Sequence, residues 1–139
     1  MKIITKLIFL FILMLAFTAC ATTPVKLPEK YKFTKNLEEV HAIYNFRIKS
    51  WSSIDHQSLL LETNVNDYYL VILQRPARSL PFSEHIGITL TVDYVKPGFD
   101  NIIVSDSAGT ESYIIQKIYK LKDRKQAMEI KDRLKKAGL

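Results

Sequence analysis

The side chains able to do chemistry in this 139-residue chain are few: one cysteine, three histidines, one tryptophan and scattered arginines and lysines. A lone thiol, Cys20, excludes an intrachain disulfide and any four-thiolate zinc or iron–sulfur centre. His41, His56 and His85 stand far apart, with no HxH or HExxH spacing and no carboxylate-rich loop beside them, so they read as surface histidines and no metal site is expected. Nucleophilic catalysis would need an activated hydroxyl or thiol with a base, and the chain holds no GxSxG, no SxxK and no spare thiol. Gly87, Gly98, Gly109 and Gly138 are dispersed and form no phosphate-cradling loop. No catalytic residue and no cofactor is expected, and a hydrolase assembled from scattered residues is the weakest of three functional readings.

Binding chemistry is the better prospect. Trp51 and Asp55 share one loop-like stretch, while Arg75 and Arg78 bracket Pro76; Trp and Arg are the residue types that dominate binding hot spots, so these four are candidate ligand contacts. The structural alternative has Trp51 plugging the end of a barrel and Asp55 capping a turn, paired with Arg75 or Arg78. The second candidate is the C-terminus. Residues 117–139 hold nine Lys and Arg against Asp123, Glu129 and Asp132, and Lys131, Lys135 and Lys136 could meet lipid phosphates, each basic residue near an anionic bilayer contributing about 1 kcal/mol. Its plainer reading is a solvated helix supported by Glu129–Arg133 and Asp132–Lys136 pairs at i,i+4.

The N-terminus says where such chemistry would operate. Lys2 and Lys6 precede residues 7–19, apolar except for Thr18, and no acidic residue occurs before Glu29. That apolar stretch makes about 20 Å of helix, short of the roughly 30 Å hydrocarbon core, so it reads as a secretory signal. Its end, Ala16-Phe17-Thr18-Ala19-Cys20, resembles the lipobox of bacterial lipoproteins, in which the cysteine is acylated and becomes the new N-terminus. The resemblance makes Cys20 a lipid anchor, and acylation would consume a thiol that is otherwise a liability in an oxidising envelope. Two or three acyl chains on one residue hold a membrane stably where one does not. Ala21 in place of Asp implies an outer-membrane, periplasm-facing protein in a Gram-negative cell. Ordinary cleavage around Ala19-Cys20-Ala21 is the alternative, and would release a soluble periplasmic protein.

The remaining residues must build the scaffold, and one domain is what this length holds. The reading is signal peptide 1–19, lipidated Cys20 with a tether over 20–35, β-rich domain 36–122 and basic helix 123–139. Pro24 and Pro28 make 21–34 a tether reaching up to about 40 Å if extended, followed by one short helical turn near Asn36. Strands are expected over 43–51, 59–61, 68–73, 86–94, 102–104 and 112–121. The clearest is 86–94, where Ile86, Ile88, Leu90, Val92 and Tyr94 alternate with polar or small residues. Turns are expected at 64–67, at Lys96-Pro97-Gly98 and at 106–109, and Asp123 with Gln126 should cap a helix carrying Ala127, Ile130, Leu134 and Ala137 on one stripe. The fold class is mainly β: a small antiparallel curled sheet or partly open barrel of about six strands, with one C-terminal helix.

From Ile48 to Leu121 the order of features resembles a family of small proteobacterial envelope proteins of unestablished function. The resemblance rests on Trp51-Ser52-Ser53-Ile54-Asp55, residues 69–76, Leu80 with Ile86-Gly87, residues 99–104 and residues 115–118. It implies a cysteine pair at the positions of Ala77 and Tyr113, absent here, so packing must supply the roughly 2–4 kcal/mol that a disulfide typically contributes. It implies no reaction or cofactor.

Net charge completes the picture. Of the formal +6, the leader contributes +2, residues 20–116 contribute −2 and residues 117–139 contribute +6. The sequence thus reads as a lipid-anchored module with a slightly acidic β domain and a basic tail. Its expected partners are the membrane, through acyl chains, and an envelope protein or anionic lipid headgroups, with no nucleic acid. Binding of a small ligand or polyanion is the alternative.

Overall fold

In a computed structural model, which describes Met1, Ile3, Ile4 and residues 25–44, 47–63 and 66–138, two apolar faces of one antiparallel sheet are buried differently. Residue 2, residues 5–24 with Cys20 among them, Asn45, Phe46, Asn64, Val65 and Leu139 lie outside the described residues, so the signal and anchor expectations fall there.

The strands are β1 (Glu38–Glu39), β2 (Ile43–Tyr44), β3 (Ile48–Ser53), β4 (Ser58–Thr63), β5 (Asp67–Leu73), β6 (Ile86–Ile88), β7 (Tyr94–Val95), β8 (Asn101–Asp106) and β9 (Gly109–Leu121). Six of them pair in the order β3-β4-β5-β9-β8-β6, curling into a half-barrel; β1 adds to β9, and β2 with β7 forms a separate ribbon. All pairings are antiparallel. The curled, mainly β architecture read from sequence is the one observed.

Runs such as Leu59-Leu60-Leu61 and the apolar residues of β5 have no alternation because both faces of these strands are covered. The concave face holds Leu59, Leu61, Val71, Leu73, Ile102, Val104, Ile115 and Ile118, closed by Ile43, Ala77, Leu80 and Val95. The convex face holds Leu60, Leu70, Ile72, Tyr119 and Leu121 under Tyr31, Ala127, Ile130 and Leu134. One extra residue in β9 serves both: Ile72 faces Lys117 but Leu73 faces Ile115, so Gln116 is a bulge that resets side-chain alternation and returns Ile115 to the concave core.

Three sequence expectations change. First, much of the tether is part of the fold. Residues Glu29–Asn36 form a 3₁₀ helix with Tyr31 wholly buried, Leu27 and Phe33 pack against the convex core, and Gln116 Nε2 donates to the Val25 carbonyl at 2.5 Å. The helical turn expected near Asn36 therefore ends there rather than beginning. Second, the alternating stretch 86–94 is a strand only to Ile88; Leu90 and Val92 are half exposed. Buried Asp100 takes this segment out of the sheet by accepting from the Thr91 amide (2.9 Å), the Thr91 hydroxyl (2.8 Å) and the Lys96 amide (2.7 Å). Third, the strand expected over 43–51 divides into β2 and β3.

The turn chemistry follows expectation where described. Gly98 takes φ +83° in the Lys96–Phe99 turn, and Asp106 Oδ1 accepts from the Ala108 and Gly109 amides. The helix α1 (Arg124–Ala137) begins where Asp123 accepts from the Gln126 amide at 2.8 Å, while the Gln126 side chain accepts from the Lys122 amide. Its stripe is Ala127, Ile130 and Leu134; Ala137 is exposed in the last turn.

Candidate functional site

Asp55 stands in the turn between β3 and β4, and its carboxylate is satisfied from all sides. Oδ1 accepts from the amides of Gln57 (2.7 Å) and Ser58 (2.9 Å) and from the Ser58 hydroxyl (3.0 Å); Oδ2 accepts from Lys30 Nζ at 2.7 Å, and the Tyr31 hydroxyl reaches both oxygens at 3.2 Å. Burial works against its charge, but the hydrogen bonds from Lys30, Gln57 and Ser58 outweigh it and hold the carboxyl below the usual carboxylate range. Burial, with the Asp55 charge adding to it, pushes the Tyr31 phenol well above its ordinary value. Asp55 caps its turn as the structural alternative expects, but its cationic partner is Lys30, not Arg75 or Arg78. This knot fastens the 3₁₀ helix to the sheet, with both carboxylate oxygens engaged.

Arg75 and Arg78 do come together. They line a cleft of about 520 Å³ with Ser79, Thr110, Glu111 and Tyr113 at the β8–β9 end of the molecule. Arg75 lies over the Tyr113 ring, 4.2 Å from its centroid, and donates to the Ser112 carbonyl at 3.3 Å. The Tyr113 hydroxyl donates to Glu111, which raises the phenol's pKa. Asp106, on the same cleft, is occupied by its own turn amides. Both carboxylates thus have donors, while no ion pair among the described residues involves Arg75 or Arg78. Ala77 and Tyr113, where the family resemblance implies a cysteine pair, lie in the one concave core cluster.

Trp51 is elsewhere, on edge strand β3, packed against the concave core. Its strand borders a second groove, about 220 Å³, between β3 and α1, lined by Tyr68, Glu62, Arg124, Met128 and Lys131, while Trp51 itself packs on the opposite face of the sheet with its cross-strand partner Leu61. Glu62, the groove's carboxylate, accepts from Lys49 at 2.7 Å and from the Ser50 hydroxyl at 2.9 Å, and these hydrogen bonds lower its pKa.

On α1, the expected Glu129–Arg133 and Asp132–Lys136 pairs are not among the ion pairs of the described residues. Arg133 lies instead over Phe33, 4.7 Å from the ring centroid, joining α1 to the 3₁₀ helix. Lys135 and Lys136 are exposed in the last turn. His41, His56 and His85 are exposed, and among the described residues no three His, Cys, Asp or Glu side chains converge as metal ligands.

Sequence reasoning missed two polar residues. Asp100 organises the loop that separates β6 from β7, and its signal was a lone acid directly after a Pro-Gly turn. Gln116, in the β9 bulge, receives the incoming chain at Val25; its Oε1 is buried without a hydrogen-bond partner, and nothing in the strand pattern marks it.

No curated protein and no solved structure matches this chain. A family model does, over residues 2–137, and by that nearly full-length match the chain belongs to DUF6491, a family of unknown function.

Proposed function

We propose that the chain is a lipid-anchored envelope protein, acylated at Cys20 and held in the outer membrane facing the periplasm, whose folded part is a non-enzymatic module that binds or supports another envelope component. The observation that carries the reading is the location of the only thiol: it ends an apolar leader and stands five residues before Val25, where the chain joins the fold. Such a leash holds a domain to a membrane without giving it reach. The family match begins at residue 2 and so takes in the leader and Cys20 with the domain. A filled concave core also suits a module that presents surfaces rather than a chamber. Labelled palmitate and membrane fractionation test the reading: wild type takes up label and sediments with membranes, and Cys20→Ala does neither. Labelling and fractionation unchanged in Cys20→Ala would reject it.

A second reading, binding of a small anion, is favoured by the Arg75–Arg78 cleft, whose two carboxylates are already engaged. Titration with inorganic phosphate, followed by amide chemical shifts, should then move Thr110, Glu111 and Ser112 in wild type and not in Arg75→Gln/Arg78→Gln. Unmoved amides in wild type would exclude it.

A further inference from the structure

We infer that the helical face of the molecule, formed by α1 and the 3₁₀ helix, lies on an anionic bilayer, with the groove between α1 and β3 receiving lipid phosphates. The inference rests on the reading of Cys20 as an anchor and adds to it an orientation and a contact surface.

The chain path supplies the first argument. Leu27, Phe33 and Leu37 all pack against the convex core, the same core that α1 covers with Ala127, Ile130 and Leu134. The polypeptide therefore joins the domain on its helical side. The five residues from Cys20 to Val25 span about 18 Å at most when extended, so an acylated Cys20 keeps this side, and not the opposite one, near the lipid.

Charge supplies the second. Arg124, Met128, Lys131 and Lys135 recur at i, i+4, i+7 and i+11 and so form one stripe along α1, with no acid among them. No ion pair among the described residues uses any of these cations, although the Arg124 charge is near enough to help lower the Glu62 pKa; each cation that meets a phosphate is worth roughly fivefold in partition onto an anionic surface. Glu62 in the groove is held by Lys49 and Ser50.

The third argument is the groove's composition. Tyr68, packed on the convex side with α1, lines it beside a Met128 that is 47% exposed. Amphipathic aromatic rings settle at headgroup depth, with basic side chains reaching phosphates beside them.

Trp51, the only tryptophan, packs on the concave core, so Trp51→Phe/Met128→Trp moves the sole tryptophan onto the cationic stripe of α1, where its emission reports on this face. That full mature protein, extracted from membranes and reconstituted into vesicles carrying a nitroxide at the headgroup, should lose tryptophan emission when the vesicles contain phosphatidylglycerol. The loss should fall to the level seen in purely phosphatidylcholine vesicles in R124Q/K131Q/K135Q, whose substitutions leave the buried stripe of α1 intact. Equal emission in both vesicle types, or quenching that the triple variant retains, would overturn the docking face. The intact mass of the same preparation reads the acyl chains separately. Acylated protein without tryptophan quenching keeps the anchor and refutes the face, and unacylated protein with quenching does the reverse.

Discussion

Lys30 Nζ lies 2.7 Å from Asp55 Oδ2 and, with the Tyr31 hydroxyl, ties the 3₁₀ helix Glu29–Asn36 to the β3–β4 hairpin of the sheet. Removing the carboxylate leaves a part-buried ammonium and two turn amides without their acceptor. Asp55→Ala should therefore lower unfolding free energy by about 3 kcal/mol, within the range for breaking a buried, hydrogen-bonded pair. Urea denaturation measures it; a loss under about 1 kcal/mol would mean the pair behaves as an exposed one.

The same knot sets a pH dependence. The Asp55 carboxyl has a lower pKa in the fold than in the open chain, so its contribution is present above the unfolded value of about 4 and is lost as pH falls through the folded value. Asp55→Asn should flatten the acid limb of a plot of Tm against pH while leaving neutral pH the more destabilised. Tyr31 acts in the other direction. Its phenol is raised, so its contribution is present below about 10 and is lost as pH rises above that, and Tyr31→Phe should remove that alkaline loss. An unchanged acid limb in Asp55→Asn would contradict the assignment.

Residues 29–36 are fold, not tether, and Tyr31 is the test of that distinction. A wholly buried aromatic truncated to alanine typically costs about 3–5 kcal/mol, whereas the same change in a tether costs nothing measurable. Tyr31→Ala should fall in the first range by urea denaturation. Limited proteolysis of wild type should likewise spare the lysines at 30, 32 and 35.

Asp100 is wholly buried and anchors the Thr91 and Lys96 amides. Asp100→Ala should cost about 2–4 kcal/mol, the penalty of leaving several buried donors unpaired. Hydrogen exchange at Thr91 and Lys96 should accelerate toward the unprotected rate while Leu70 and Ile118 stay protected. Retained protection at Thr91 would show that the loop closes without the carboxylate.

Much of this was legible from residue order. The limits of α1, its Asp123 cap and the Pro97–Gly98 turn follow from local rules that tertiary packing did not override. Strands β4 and β5 were visible as apolar runs because both faces are covered. Two of the failures share one cause, a distant polar group competing with a local pattern. Leu90 and Val92 alternate as a strand should, but Asp100 captures Thr91 from nine residues away. Pro24 and Pro28 suggested a tether, but Lys30 and Tyr31 have a partner 24 or 25 residues downstream in Asp55. For the candidate sites, residue types were visible and grouping was not: Trp51 packs on the concave core, Asp55 joins Lys30 and Tyr31, and the Arg75–Arg78 pair has its own cleft.

The most direct measurement of the central claim is the N-terminal residue and intact mass of the mature protein extracted from cell membranes. Acylation at Cys20 requires a chain beginning at Cys20 whose mass exceeds that of residues 20–139 by two or three acyl chains with their glycerol. A chain beginning at Ala21, or one beginning at Cys20 with no added mass, would contradict it.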